Sequence, residues 1–84
     1  MPSVFILEKD SSARRLLSDS LAGSYDLDFF SNGTTIKDVI YNCHYDLIIL
    51  DLPSQPEPFK LLRWIKSDLP YTPVIVTLSL IHIS

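Results

Sequence analysis

Two stretches of four apolar residues, Val4-Phe5-Ile6-Leu7 and Leu47-Ile48-Ile49-Leu50, contain no polar position. A strand with one face in water alternates, so continuous runs predict strands covered on both faces, as in a parallel sheet. Each run stops at an acid, Glu8 and Asp51. After the first, Glu8-Lys9-Asp10-Ser11-Ser12 offers N-cap candidates, and Ala13, Leu16, Leu17 and Leu21 recur at helical spacing up to a stop at Gly23. Tyr25 to Phe30 alternates at first, which predicts a half-exposed strand at the sheet edge. Ser31-Asn32-Gly33 reads as a turn and Thr35 with Asp38 as a capping box. Ile36, Val39, Ile40 and Cys43 form the apolar stripe of a second helix. Beyond Asp51, Pro53, Pro56 and Pro58 stiffen a loop, and Pro56 or Pro58 suits a helix start. Phe59, Leu62, Ile65 and Leu69 give a third helix closed at Leu69-Pro70, and Val74-Ile75-Val76 a fourth strand set up by Pro73.

Strands alternating with helices across short connections predict an α/β fold with a parallel sheet and right-handed crossovers. With 84 residues there is room for one domain, and 46% hydrophobic against 20% charged residues is a globular composition. So short a chain buries only about 60–65% of its unfolded surface, so its core is expected to be marginal.

Charge removes several function classes. The formal net charge is −3, and Arg14-Arg15 is the only adjacent basic pair, so the basic stripe of a nucleic-acid binder is missing. Cys43 is the single cysteine and has no internal disulfide partner, which favours a reducing compartment. No apolar run has the length of a membrane span, and the N-terminus lacks a signal-peptide pattern. The expectation is a cytoplasmic protein that binds neither nucleic acid nor membrane through this domain.

Ligands of open α/β sheets bind outside the carboxyl ends of the strands. Glu8 follows the first strand, Asp51 the third and Thr77 the fourth. Taken alone, Asp51 reads equally as a carboxylate that ends a strand and opens a turn. Its spacing to Glu8 and Thr77 across three strands makes it the sharpest candidate for chemistry.

These segments resemble a known family, the receiver domain of two-component response regulators. Val4-Phe5-Ile6-Leu7-Glu8-Lys9-Asp10 is similar to its opening strand and acidic cluster, and Ser11-Ser12-Ala13-Arg14-Arg15-Leu16-Leu17 to its first helix. Tyr45-Asp46-Leu47-Ile48-Ile49-Leu50-Asp51-Leu52 resembles the strand that delivers the phosphorylated aspartate, and Pro73-Val74-Ile75-Val76-Thr77 the strand carrying the switch threonine. The resemblance implies a flavodoxin-like (CheY-like) three-layer α/β/α fold with strand order 2-1-3-4, helix 1 on one face and helices 2 and 3 on the other. It implies that Asp51 accepts a phosphoryl group from a histidine kinase or phosphotransfer protein and so switches a partner or output domain. This is a signalling role, not that of an enzyme. It further implies that Glu8, Asp51 and the backbone carbonyl of Pro53 hold Mg²⁺, and that Thr77 hydrogen-bonds the phosphoryl oxygen and reports its presence.

Four departures from the family pattern shape the expectations. Lys9 stands where a second acid is usual. An ammonium there would weaken Mg²⁺ binding or pair with Asp51, giving a non-phosphorylated pseudo-receiver that acts as an interaction module; alternatively Lys9 points to solvent and Asp10 compensates or caps the helix. The loop Leu52-Pro53-Ser54-Gln55-Pro56-Glu57-Pro58 lacks the usual glycine, with Glu57 the nearest stand-in for its acid. The family's further helix, its fifth strand with a phosphoryl-contacting lysine, and its last helix have no counterpart in the chain. Residues 78–84, Leu-Ser-Leu-Ile-His-Ile-Ser, resemble the translation of a transposon adapter used in sequencing libraries, so the receiver region is expected to be 1–77 with a non-native tail.

Other residues read as structural: His44 as a loop histidine, Cys43 as a helix-end core residue, Trp64 and Tyr41 as partly buried. A haloacid dehalogenase type of phosphatase would need a second aspartate where Pro53 stands, and a dinucleotide-binding domain would need a glycine-rich turn after the first strand.

Overall fold

The computed structural model describes residues 1–31, 36–52 and 57–77. Strand and helix alternate as β1 (Ser3–Leu7), α1 (Ser11–Leu21), β2 (Asp26–Phe30), α2 (Ile36–Asn42), β3 (Leu47–Asp51), α3 (Pro58–Asp68) and β4 (Val74–Thr77). The three strand pairings are all parallel, in the order β2-β1-β3-β4. This is the sheet order that the resemblance implied. The turn at Asn32-Gly33, the capping role of Thr35, the loop prolines Pro53 and Pro56 and the tail 78–84 lie outside the described residues.

The two continuous runs are buried because each is covered on both faces. Phe5, Leu7, Ile48 and Leu50 point to one side, where Ile36 and Ile40 of α2 and Ile65 of α3 complete a core. Val4, Ile6 and Ile49 point to the other, against Leu17 and Leu21 of α1. β2 takes the edge and alternates in burial, as its sequence does. β4 ends the sheet on the other side; Ile75, which pairs with Ile49 on the α1 face, is half exposed.

Local signals explain the helix starts. The Asp10 side chain accepts a hydrogen bond from the Ala13 N–H at 2.8 Å, so Asp10 is the N-cap of α1. Pro58 occupies the first turn of α3, where its missing N–H costs nothing.

Three positions depart from the sequence reading. Leu16 and Phe59 are exposed, at 67% and 73% of their accessible surface, although both fit a helical apolar count. At 3.6 residues per turn, Leu16 lies roughly 120° round the helix from the midpoint of Leu17 and Leu21. In α3 Leu61 and Leu62 pack on the core instead of Phe59. Cys43 is not a core residue: α2 ends at Asn42, and the thiol is exposed beside His44, which bonds Asp46 in a loop.

Gly23 does not stop α1 by adopting a left-handed conformation. The helix ends at Leu21, whose carbonyl accepts from the N–H groups of both Ser24 and Tyr25. A Cβ built on Gly23 meets nothing within 4 Å, and its backbone lies outside the positive-φ region. Gly23→Ala is therefore expected to stabilise the fold by about 0.4–1 kcal/mol through loss of unfolded-state freedom. Urea denaturation checks this, and a lower midpoint would contradict it.

Candidate functional site

The parallel register brings the strand ends to one level. Leu7 pairs with Leu50, and Asp51 pairs with Thr77. Glu8, one residue past the last pair of β1, therefore comes alongside Asp51. The order of the sheet thus sets Glu8, Asp51 and Thr77 across three adjacent strands at their carboxyl ends.

Glu8 and Asp51 are 6% and 4% exposed, and they are the only buried carboxylates among the described residues. Burial pushes the Glu8 carboxyl above the usual carboxylate range, and the charge of Asp51, together with a side-chain hydrogen bond between the two, pushes the same way. The Asp10 N–H, which donates to Glu8 Oε2 at 3.2 Å, opposes that rise in part. Two acids in one desolvated crevice repel when both are ionised, and a cation placed between them relieves this.

Main-chain bonds fix Glu8 tightly. Its N–H donates to the Phe30 carbonyl at 2.9 Å, and its carbonyl accepts from Arg14 Nε at 2.6 Å. Thr77 Oγ1 donates to the Leu50 carbonyl at 3.2 Å, so the hydroxyl sits beside the strand that carries Asp51.

Lys9 is exposed. Of the alternatives for this position, the solvent-facing lysine is the one observed. Asp10 does not take over as a third site acid, because its carboxylate is engaged as the α1 cap. Glu57 does not fill that place either: it is exposed, with Lys60 Nζ at 3.8 Å.

Among the described residues no group of three His, Cys, Asp or Glu side chains forms a metal cluster. Mg²⁺ does not require one, since it keeps several waters and is commonly held by one or two carboxylates. The buried pair Glu8–Asp51 fits that demand in donor type and charge. Pro53, whose carbonyl was the third expected ligand, lies outside the described residues.

Sequence reasoning missed Arg14 as a neighbour of the site. A signal existed: a cation near the start of a helix opposes the helix dipole, so an arginine there needs a partner elsewhere.

The parallel order β2-β1-β3-β4 with helices on both faces is a flavodoxin-like α/β architecture, with two buried acids at its strand ends. Comparison with solved structures agrees. The chain superposes on the non-phosphorylated HemR receiver domain from Leptospira biflexa with a TM-score of 0.75 at 20% identity, over 90% of this chain and 63% of that one. It superposes on the response regulator TrrA, solved in complex with the histidine kinase ThkA, with a TM-score of 0.81 at 22% identity, over 98% of this chain and 72% of that one. The chain thus has the receiver fold and spans somewhat under two-thirds of the first of these structures and about seven-tenths of the second. No family model matches the sequence, and no curated protein matches it by sequence. None of the described helices is long and apolar enough to cross a membrane.

Proposed function

We propose that the chain is a phosphoacceptor receiver, in which Asp51 takes a phosphoryl group from a histidine kinase or phosphotransfer protein and thereby switches a partner or output domain. The observation that carries this reading is the convergence of Glu8, Asp51 and Thr77 at the ends of three adjacent strands. An Asp51 oxygen attacks phosphorus in line, the bond from phosphorus to the donor nitrogen breaks, and that nitrogen regains a proton. Mg²⁺ would be held by Glu8, Asp51 and the Pro53 carbonyl, and when bound it supplies neutralisation of the charge on the transferring group. Thr77 can exchange the Leu50 carbonyl for a phosphoryl oxygen by rotating its hydroxyl, which couples modification to β4. The complex of TrrA with a histidine kinase supports the choice of donor. The role is that of a switch and not of an enzyme, and the unpaired Cys43 suits a cytoplasmic setting.

A second reading, the pseudo-receiver, is favoured by the missing third acid: Lys9 faces solvent and Asp10 is engaged as a cap. The two are separated by treating the protein with Mg²⁺ and acetyl phosphate and weighing it intact. The expected result is a phosphoryl adduct on the unmodified chain that disappears in Asp51→Asn. No adduct, with labelling restored by Lys9→Asp, assigns the pseudo-receiver instead. An adduct that persists in Asp51→Asn overturns the assignment of Asp51.

A further inference from the structure

We infer that Arg14 is a positioning residue for the acid pair: it holds the peptide of Glu8 in the orientation from which Glu8 and Asp51 bind a divalent cation. This rests on the receiver reading above, and concerns a side chain that the reading itself does not use.

Arg14 belongs to α1 yet ties together three parts of the molecule. Its Nε donates to the Glu8 carbonyl at 2.6 Å, and its Nη2 donates to Ser31 Oγ, just past β2, at 2.7 Å. The guanidinium also lies 5.6 Å from the centroid of the Phe29 ring. Among the described residues Glu8 is otherwise held by the bond from its N–H to Phe30, the bond from the Asp10 N–H to its Oε2 and a side-chain hydrogen bond with Asp51. Among the described residues Arg14 is the partner of the Glu8 carbonyl, and without it the Glu8–Lys9 peptide is freer to rotate, which carries the carboxyl away from Asp51. The planar fork of the guanidinium presents Nε and Nη2 to Glu8 and Ser31 in a preset geometry, whereas an ammonium carries its three donors on one atom of a flexible stem. Placing a cation near the start of α1 also works against the helix dipole, a cost that the two directed bonds offset.

The test is Mn²⁺ binding to the 84-residue chain, followed by electron paramagnetic resonance of the free ion, with thermal midpoints measured alongside. The variants are Arg14→Met, which keeps the stem against Phe29, Arg14→Lys, Ser31→Ala and Glu8→Gln. Groups that orient a metal ligand typically account for roughly 10–100-fold in affinity, so Arg14→Met is expected to weaken Mn²⁺ binding about 10-fold. Arg14→Lys is expected not to rescue it, and Ser31→Ala to weaken it by a smaller factor at an unchanged thermal midpoint. Wild-type affinity in Arg14→Met overturns the proposal while leaving the acid pair standing. If Arg14→Met does not fold, Ser31→Ala decides: weaker binding supports the role, and wild-type affinity ends it. Should Glu8→Gln bind Mn²⁺ as tightly as the unmodified chain, or the unmodified chain not bind it, the acid pair itself is not the cation site and the inference falls with it.

Discussion

Phe5→Ala is expected to destabilise the protein by about 3–5 kcal/mol, the range for deleting a buried aromatic ring. Phe5 is fully buried in the middle of β1. Its ring stacks on Phe30 with centroids 4.6 Å apart and meets Tyr45 edge-on at 5.4 Å, so one side chain joins β2, β1 and the connection that leads into β3. Truncation leaves a cavity bounded by rings whose own positions are fixed by the sheet. A small domain has a total stability of order 5–15 kcal/mol, so the loss removes a large part of it. Phe59→Ala is the control: the same atoms are deleted at a position 73% exposed, and the change is expected to stay within about 0.5 kcal/mol. Urea denaturation followed by circular dichroism measures both. Equal shifts in midpoint would mean that the ring cluster around Phe5 does not organise the core.

The contrast between Phe5 and Phe59 also marks what could be read from the sequence. Phe5 and Ile49 sit in unbroken apolar runs, and such a run has no polar side to offer water, so burial on both faces follows from the pattern itself. The same runs place Glu8 and Asp51, because a strand that ends in an acid delivers it to the carboxyl edge of a parallel sheet. Leu16 and Phe59 were not legible in this way. A helix shows its apolar count but not which few residues face the sheet, and that depends on how the helix is rolled against its neighbours. Cys43 failed for a related reason: continuing the stripe by one more turn required a helix that stops at Asn42. Arg14 carried only the signal of a cation near a helix start, because its partners are a main-chain carbonyl and Ser31, neither of which carries a charge pattern that a sequence displays. The fold alone does not fix the activity. What the geometry adds is the buried acid pair at the ends of β1 and β3.

That acid pair gives the second large expectation, a stability that falls as pH rises toward neutrality. Glu8 titrates above its ordinary value of 4.5 in the folded chain, chiefly through burial and then through Asp51. The folded state therefore binds more protons than the unfolded state from pH 4.5 upward. Stability is fully present below that point and is lost as pH rises through the raised folded value. Asp46 does not obscure the window: the Ser3 N–H holds its carboxylate below the usual 3.8, so its contribution is lost only at lower pH. Glu8→Gln cannot ionise, and its pH dependence above 4.5 is expected to flatten. Asp51→Asn removes the neighbouring charge but not the burial, so it should flatten the curve only in part. Urea midpoints collected between pH 4.5 and neutrality give the three slopes, steepest in the unmodified chain and shallowest in Glu8→Gln. Added Mg²⁺ should raise the unmodified midpoint more near neutrality than at pH 4.5, because a proton on Glu8 competes with the cation. Identical slopes in the unmodified chain and Glu8→Gln would show that another group titrates in this window. Glu8 would then titrate in the folded chain as it does in the unfolded one, without the burden of burial and of Asp51.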